Sequence, residues 1–357
     1  MKNIGIITTG GDCSGINAAI QRIVTGARIR GWRVFGIIDG MDGLENGNII
    51  EINTNNFPVE AMHLAGSMLQ NGNPYKNNFE KAIRNNKLKQ FNSQLKKTLH
   101  QLGFDALILI GGNGSLSLAW ATRDIYSDLQ LICIPKTIDM DIPMTDSTIG
   151  FNTAVQQLTN YCDQLLMTAR SHHRWFVVQA MGRDCGRLAL YSGIAVGATA
   201  ILIPEIKFTT EDLIKHIQTS GNDYGIVLVS EGISLRGHSG QPADMISREL
   251  NKSNISNRPV FPEHFQRGGD TTALDRILAS GMAACALNAI ENNETYVMTA
   301  VIDGKFKTVS LSDVISSGKM MPDPNIDCLQ ISNSYIQPDD LLLQTAINMG
   351  IYIGNVK

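Results

Sequence analysis

Charge is scarce in this chain. Only 18% of its 357 residues are Asp, Glu, Lys or Arg, below the ~25% usual in globular proteins, and 43% are hydrophobic, a balance that argues for a large buried core and against disorder. An excess of one sign is missing too. The 30 basic and 33 acidic side chains leave a net charge of −3, which removes the electrostatic footprint of a general nucleic-acid binder. The opening MKNIGIITTGGDC holds no apolar stretch of signal-peptide length. About seventeen uncharged residues run from Leu188 to Pro204, but Tyr191, Ser192, Gly193, Gly197 and Thr199 interrupt them. A buried helix followed by a strand is expected there, not a membrane span. The six cysteines form no C-x-x-C pair, and the seven histidines make no zinc spacing. Free thiols in a reducing cytoplasm, and no transition-metal site built by the protein, are therefore expected.

What is present is a repeated α/β pattern. Short Ile- and Val-rich runs at 4–8, 34–38, 106–110, 131–134, 175–179 and 225–229 read as strands buried on both faces of parallel sheets. Between them lie amphipathic stretches at 17–30, 77–102 and 210–218. The basic residues of 87–97 read as a solvated helix face rather than a binding patch. At roughly 150 residues per domain, the length suggests about two domains. No internal repeat or flexible linker separates them.

In open α/β sheets ligands collect where strands end, so the following residues carry the functional signal. Thr9-Gly10-Gly11-Asp12-Cys13-Ser14-Gly15 follows the first run and Gly111-Gly112-Asn113-Gly114-Ser115 follows the third. Glycine turns that lead into helices let free N–H groups approach a phosphate, although tight turns also need glycine for structure alone. Neither turn has P-loop or G-x-G-x-x-G spacing, and no H-R-D or D-F-G set is present. After Ile134 the sequence Pro135-Lys136-Thr137-Ile138-Asp139-Met140-Asp141 offers two carboxylates for a general base and a Mg²⁺ partner, or an Asx turn capping a loop. Met181-Gly182-Arg183, Ser230-Glu231-Gly232 and His264-Phe265-Gln266-Arg267-Gly268-Gly269 place cations and an imidazole beside glycines, as phosphate contacts require.

Taken in order, GGDCSGINAAI, GGNGS, PKTIDMDIPMTDSTIGFNTA, SHHRWFVVQAMGRDCGRLAL, VSEG and HFQRGGDTTALDR resemble the successive motifs of the phosphofructokinases, which make fructose 1,6-bisphosphate. The resemblance runs from residue 5 to about 276. It implies two similar three-layer α/β domains with mainly parallel sheets and the active site in the cleft between them. The expected donor-binding domain is 1–150 plus about 260–305, and the expected fructose 6-phosphate domain is about 151–259 plus 306–357. A homo-oligomer, tetramer or dimer, is implied, in which neighbouring subunits complete one another's sugar-phosphate site. No nucleic-acid or membrane partner is expected.

By motif, the resemblance implies that Asp139 takes the proton from the sugar 1-hydroxyl, with Thr137 and Asp141 beside it and Arg183 offsetting charge on the transferred group. Met181, Gly182, Glu231, His264 and Arg267 would hold fructose 6-phosphate, with Arg174 and Arg258 reaching its 6-phosphate from an adjacent subunit. Gly11, Asn113, Gly114, Ser115 and Lys136 would meet the donor. Mg²⁺ is the implied cofactor, near Asn113 and Asp141. Family members that use nucleotide typically have Asp where this chain has Asn113, so weaker metal binding is expected. An arginine that commonly contacts the donor would fall around 70–74, yet none occurs from Val34 to Ile83. Gly114 leaves room for an α-phosphate, as in ATP enzymes, whereas Lys136 matches pyrophosphate enzymes and a minority of ATP enzymes. ATP is favoured because no side chain blocks it. The positions corresponding to the family's basic effector site, Gln21, Thr25 and 221–224, are not basic, so little response to ADP or phosphoenolpyruvate is expected there.

Three alternatives compete with an ATP enzyme. One is a pyrophosphate-dependent phosphofructokinase. Another is a weakly catalytic, sugar-phosphate-binding regulatory paralogue, motivated by Asn113 and the missing arginine. The last, a nicotinamide oxidoreductase, rests only on the first strand-glycine-helix unit; it lacks G-x-G-x-x-G and an acidic residue ending the second strand in the expected context, although Asp39 is near.

Overall fold

The computed structural model describes residues 1–72, 88–233, 240–317, 336–337 and 339–355. These divide into two compact units. The first comprises Met1–Thr137, Ile142–Thr153 and Gly269–Gln330, and the second Ile138–Asp141, Ala154–Gly268 and Ile331–Lys357, counting the described residues of each.

The first unit is built on a seven-stranded sheet ordered β11-β10-β5-β4-β1-β2-β3. Strands β1 (Asn3–Thr8), β2 (Arg33–Ile37), β4 (Ala106–Gly111), β5 (Gln130–Pro135) and β10 (Val297–Ile302) are parallel, with Ile4 opposite both Val34 and Ala106. The edges are antiparallel: β3 (Ile49–Ile52) pairs with β2, and β11 (Lys305–Ser310) with β10. Because successive side chains point to opposite faces, an uninterrupted apolar strand needs a cover on each side. Ile7, Ile37, Leu107, Leu109, Leu131 and Cys133 pack on one face against α2 (Gly40–Asn46), α3 (Leu88–Leu102), α4 (Asn113–Ala121) and α10 (Leu311–Ser317). On the other face lie α1 (Ile16–Ile29) and α9 (Ala273–Glu291), which also pack on each other. Helix α9 is long and apolar enough to cross a membrane by composition alone, but half of it is buried within this unit.

The second unit has a parallel four-stranded sheet, β7 (Ala200–Leu202), β8 (Gly225–Ser230), β6 (Trp175–Ala180) and β9 (Asn257–Val260) in that order. Trp175, Val177, Val227 and Val229 pack against α7 (Thr210–Thr219) and α8 (Pro242–Lys252). Helix α7 starts where Thr209 accepts a hydrogen bond from the Asp212 N–H at 3.1 Å, a capping arrangement. The uncharged stretch from Leu188 forms α6 (Arg187–Ala195) and β7, as expected of a buried helix and strand. Helices α5 (Phe151–Ser171) and α11 (Leu341–Asn348) complete the described α-helices.

The unit bounds differ from the sequence expectation at two places. Residues 260–268 stay with the second unit, because they continue from β9, which is hydrogen-bonded to β6. Residues 306–317 stay with the first, because β11 pairs with β10 from Lys305 to Ser310 and α10 covers that sheet. The amphipathic stretch at 77–102 is helical from Leu88; its earlier residues lie outside those described. Exposed Lys96, 3.8 Å from exposed Asp128, fits a solvated face.

Candidate active site

In the first sheet, β1 is flanked by β2 on one side and β4 on the other. Chain direction across the sheet reverses there, and such a switch point opens a crevice at the strand ends. Both glycine turns lie at it. Gly10 has φ +77°, and a Cβ on it would sit 3.2 Å from the Ser115 hydroxyl, so the two turns nearly touch. Helix α4 begins at Asn113 with no side-chain cap, and the positive end of its dipole favours an anion there. Gly111 is required by packing, since a Cβ would lie 2.5 Å from that of Ser115. Gly114 is required by neither packing nor backbone: a Cβ there would meet nothing within 4 Å.

Lys136, at the end of β5, is almost completely buried. Its ammonium donates to the Thr9 carbonyl at 3.0 Å and to the Gly11 carbonyl, so it fastens the first turn. The Asn71 amide donates to the Gly10 carbonyl at 2.9 Å, and the Gln70 carbonyl accepts from Thr8. The stretch lacking arginine therefore does reach this turn, with an asparagine there; residues 73 and 74 lie outside those described. The structure thus gathers Gly11, Ser115 and Lys136 at one end of this sheet, with Asn113 and Gly114 opening α4. Gln21 and Thr25, read as non-effector positions, bond each other within α1 at 3.1 Å.

The second unit holds the other cluster. Asp139 is 5% exposed and lies 3.5 Å from the Arg183 Nε. Arg183 is held in the left-handed region at φ +53°, a conformation unfavourable for a side-chain-bearing residue. Glu231 stabilises it: one carboxylate oxygen accepts from the N–H groups of Gly182 (3.1 Å) and Arg183 (2.8 Å). Gly232 must lack a side chain, because a Cβ would meet the Arg183 carbonyl at 2.1 Å. Beside this turn is a cavity of about 250 Å³ lined by Met181, Glu231 and His264, together with Gln179, Gln241, Phe261, Glu263 and Gln266. Gln266 accepts from the Met181 N–H at 3.0 Å. Arg267 ends the same short 3-10 turn, Glu263–Arg267. Asp141 is half-buried, and burial pushes the nearby Cys185 thiol up, which disfavours its thiolate.

Arg174 and Arg258 are not at this cavity. Arg174 precedes β6 and Arg258 pairs with Phe176 in register, whereas Met181 follows the far end of β6. At ~3.3 Å per residue the separation is about 20 Å. The Arg174 Nε is buried with no hydrogen-bond partner. Gln241, Phe261 and Glu263 carried no sequence signal and Gln179 stood inside a motif without a role; they come from three separate segments that only the fold unites. Gln266 stood inside a motif without a role. Among the described residues no group of three or more His, Cys, Asp or Glu could hold a metal ion.

The family model "Phosphofructokinase" matches residues 3–290. The chain belongs to the phosphofructokinase family. Relatives of this family member include the "ATP-dependent 6-phosphofructokinase" of Natranaerobius thermophilus, 36% identical over 94% of this chain and 99% of the relative. The "ATP-dependent 6-phosphofructokinase 1" of a Nostoc species is 35% identical over 99% of both. Among solved structures, Saccharomyces cerevisiae phosphofructokinase superposes with a TM-score of 0.80 at 27% identity, covering 88% of this chain and 45% of the yeast chain. A pyrophosphate-dependent phosphofructokinase from Nitrosospira multiformis shares the fold, with a TM-score of 0.77 at 20% identity over 90% of this chain and 86% of that one.

Proposed function

We propose that this protein is an ATP-dependent 6-phosphofructokinase. Asp139 takes the proton of the sugar 1-hydroxyl, the freed oxygen forms a bond to the γ-phosphorus, and the bond to the bridging oxygen breaks, leaving ADP and fructose 1,6-bisphosphate. The observation that carries this reading is the Asp139–Arg183 pair beside a cavity lined by Met181, Glu231 and His264. A buried carboxylate kept next to a guanidinium supplies a base and a cation to the same reacting group. Positioning and charge stabilisation supply nearly all of such catalysis.

The ATP assignment is supported by Gly114, whose missing side chain neither packing nor backbone demands, and by the names of the relatives. Lys136 does not tip the choice toward pyrophosphate, because its ammonium is engaged by the carbonyls of Thr9 and Gly11. Mg²⁺ is the metal this reading calls for, an ion held chiefly by substrate phosphates and water with one or two protein side chains. By motif, Asn113 and Asp141 are the side chains this reading assigns to the ion. When bound, the ion would neutralise charge on the donor phosphates. Arg174 and Arg258, about one strand length from the cavity of their own chain, would serve the 6-phosphate of a neighbouring subunit in a homo-oligomer. A reducing cytoplasm suits the five described cysteines, all free.

The test is fructose 1,6-bisphosphate formation from fructose 6-phosphate and Mg²⁺ with ATP or pyrophosphate in separate reactions. Turnover with ATP is expected. Turnover with pyrophosphate alone would transfer the assignment to the pyrophosphate enzyme. Sugar-phosphate binding with neither donor active would make the protein a binding relative.

A further inference from the structure

We propose that Asp275 is a positioning residue for phosphoryl transfer: its carboxylate fixes residues 148–153, which in turn hold the Pro135–Thr137 backbone leading into Asp139. The inference rests on Asp139 being the base.

Asp275 is fully buried in the first turn of α9. One carboxylate oxygen accepts from the Gly150 N–H at 3.1 Å; the other accepts from the Thr153 N–H at 2.7 Å and the Thr153 hydroxyl at 2.6 Å. An acid within α9 thereby satisfies donors at the start of α5, where a helix leaves N–H groups unpaired and favours negative charge. Thr272 caps α9 and its N–H donates to the Thr153 hydroxyl at 3.2 Å, so the two helix starts are interlocked.

From there the bonding runs directly toward the reaction. The Thr148 hydroxyl donates to the Thr137 carbonyl at 2.8 Å, the Thr137 N–H to the Ile149 carbonyl at 3.1 Å, and the Ile149 N–H to the Pro135 carbonyl at 3.2 Å. Gly150, at φ +102°, leaves no slack: a Cβ there would lie 2.3 Å from the sulfur of Cys13, within the first glycine turn. Burial pushes the Asp275 carboxyl upward in pKa, and the bonds to Thr153 and Gly150 oppose that shift. A carboxylate retained at such a cost, with every acceptor aimed at this one segment, marks a place where the segment's position matters. Displacing a reacting group by ~1 Å costs about a hundredfold in rate.

The experiment compares Asp275→Asn, Thr148→Val and Asp139→Asn for kcat, for KM of fructose 6-phosphate, for calorimetric binding of fructose 6-phosphate without donor, and for circular-dichroism melting. Asp275→Asn keeps the shape but turns an amide N–H₂ toward N–H donors. Thr148→Val leaves the Asp275 carboxylate and its bonds to Gly150 and Thr153 in place and removes the hydroxyl that donates to the Thr137 carbonyl. Both are expected to lower kcat by about ten- to a hundredfold while fructose 6-phosphate binding stays as in the unmodified protein, and the double variant is expected to lose little more than the worse single one. Unchanged kcat in a folded variant, or losses in kcat and binding that merely follow the folded fraction, would overturn the proposal. Should Asp275→Asn fail to fold, Thr148→Val decides alone. Turnover by Asp139→Asn would instead remove the base assignment, whatever the other two do.

Discussion

Gly114→Asp separates the requirements of the fold from those of the donor. Position 114 is the second residue of α4 and is exposed, with no atom within 4 Å of a Cβ placed there. Replacing a helical glycine by Asp recovers ~0.3 kcal/mol of helix propensity, and a carboxylate in the first turn gains ~0.3–1 kcal/mol from the helix dipole. The variant should therefore be about 1 kcal/mol more stable. The donor should fare oppositely. Two unit charges ~4 Å apart repel by about 4 kcal/mol at an effective dielectric of 20, and roughly half of that survives at an exposed position. About 2 kcal/mol is some thirtyfold in affinity for ATP, before any steric exclusion is counted. Urea unfolding and a coupled assay at varied ATP and pyrophosphate would read both effects. A variant with unaltered kcat/KM for ATP would refute the idea that this space belongs to the donor. Lower stability would refute the local packing argument.

Asp139→Asn should lower kcat by about 10²–10⁴ and leave fructose 6-phosphate binding in place; a rate near that of the unmodified protein would exclude Asp139 as base. Glu231→Gln removes the charge that holds the Gly182 and Arg183 N–H groups, and KM for fructose 6-phosphate should rise about tenfold; an unchanged KM would disconnect this turn from the cavity. Lys136→Met leaves the carbonyls of Thr9 and Gly11 without their ammonium, so stability should fall by ~2–4 kcal/mol, and an unmoved urea midpoint would deny the fastening role. Stability should also decline in alkali. Burial pushes the Cys133 and Cys162 thiols from 9.0 to about 12 and Cys285 to about 11. Because the folded values exceed the unfolded ones, this stabilisation is complete below pH 9 and is lost as pH rises toward 12. Urea midpoints at pH 8.5 and 10.5 that coincide would contradict it.

The central strands were legible because a parallel strand buried on both faces must be a continuous apolar run, as Ala106–Gly111 is. Edge strands are not so constrained. Strands β11 (KFKTVS) and β9 (NRPV) are polar, and neither stands out as an apolar run. Turn residues with chemistry, such as Asp139, Arg183 and Glu231, were visible as motifs at strand ends. Their mutual holding was not: nothing in the spacing says that Glu231 accepts from the backbone of Arg183 rather than from a ligand. Lys136 shows the same limit, since a lysine beside a donor turn suggests a ligand contact and its carbonyl partners depend on burial. Gln179 and Gln241 face the cavity from distant segments, and a single chain read linearly offers no way to unite them.

The order in which the segments of the first unit occur along the chain has a consequence for its birth on the ribosome. Strand β10 hydrogen-bonds to β5, and α9 covers α1, yet both are synthesised after the whole central block of the second unit. When Thr137 emerges, the α1 face that meets α9 is still uncovered. At ~5–20 residues per second, the roughly 130 residues that intervene before Gly269 take about 7–26 seconds. Throughout that interval the nascent amino-terminal half exposes apolar surface that only its own carboxy-terminal segments are shaped to cover, a window in which chaperone binding or aggregation competes with completion of the sheet.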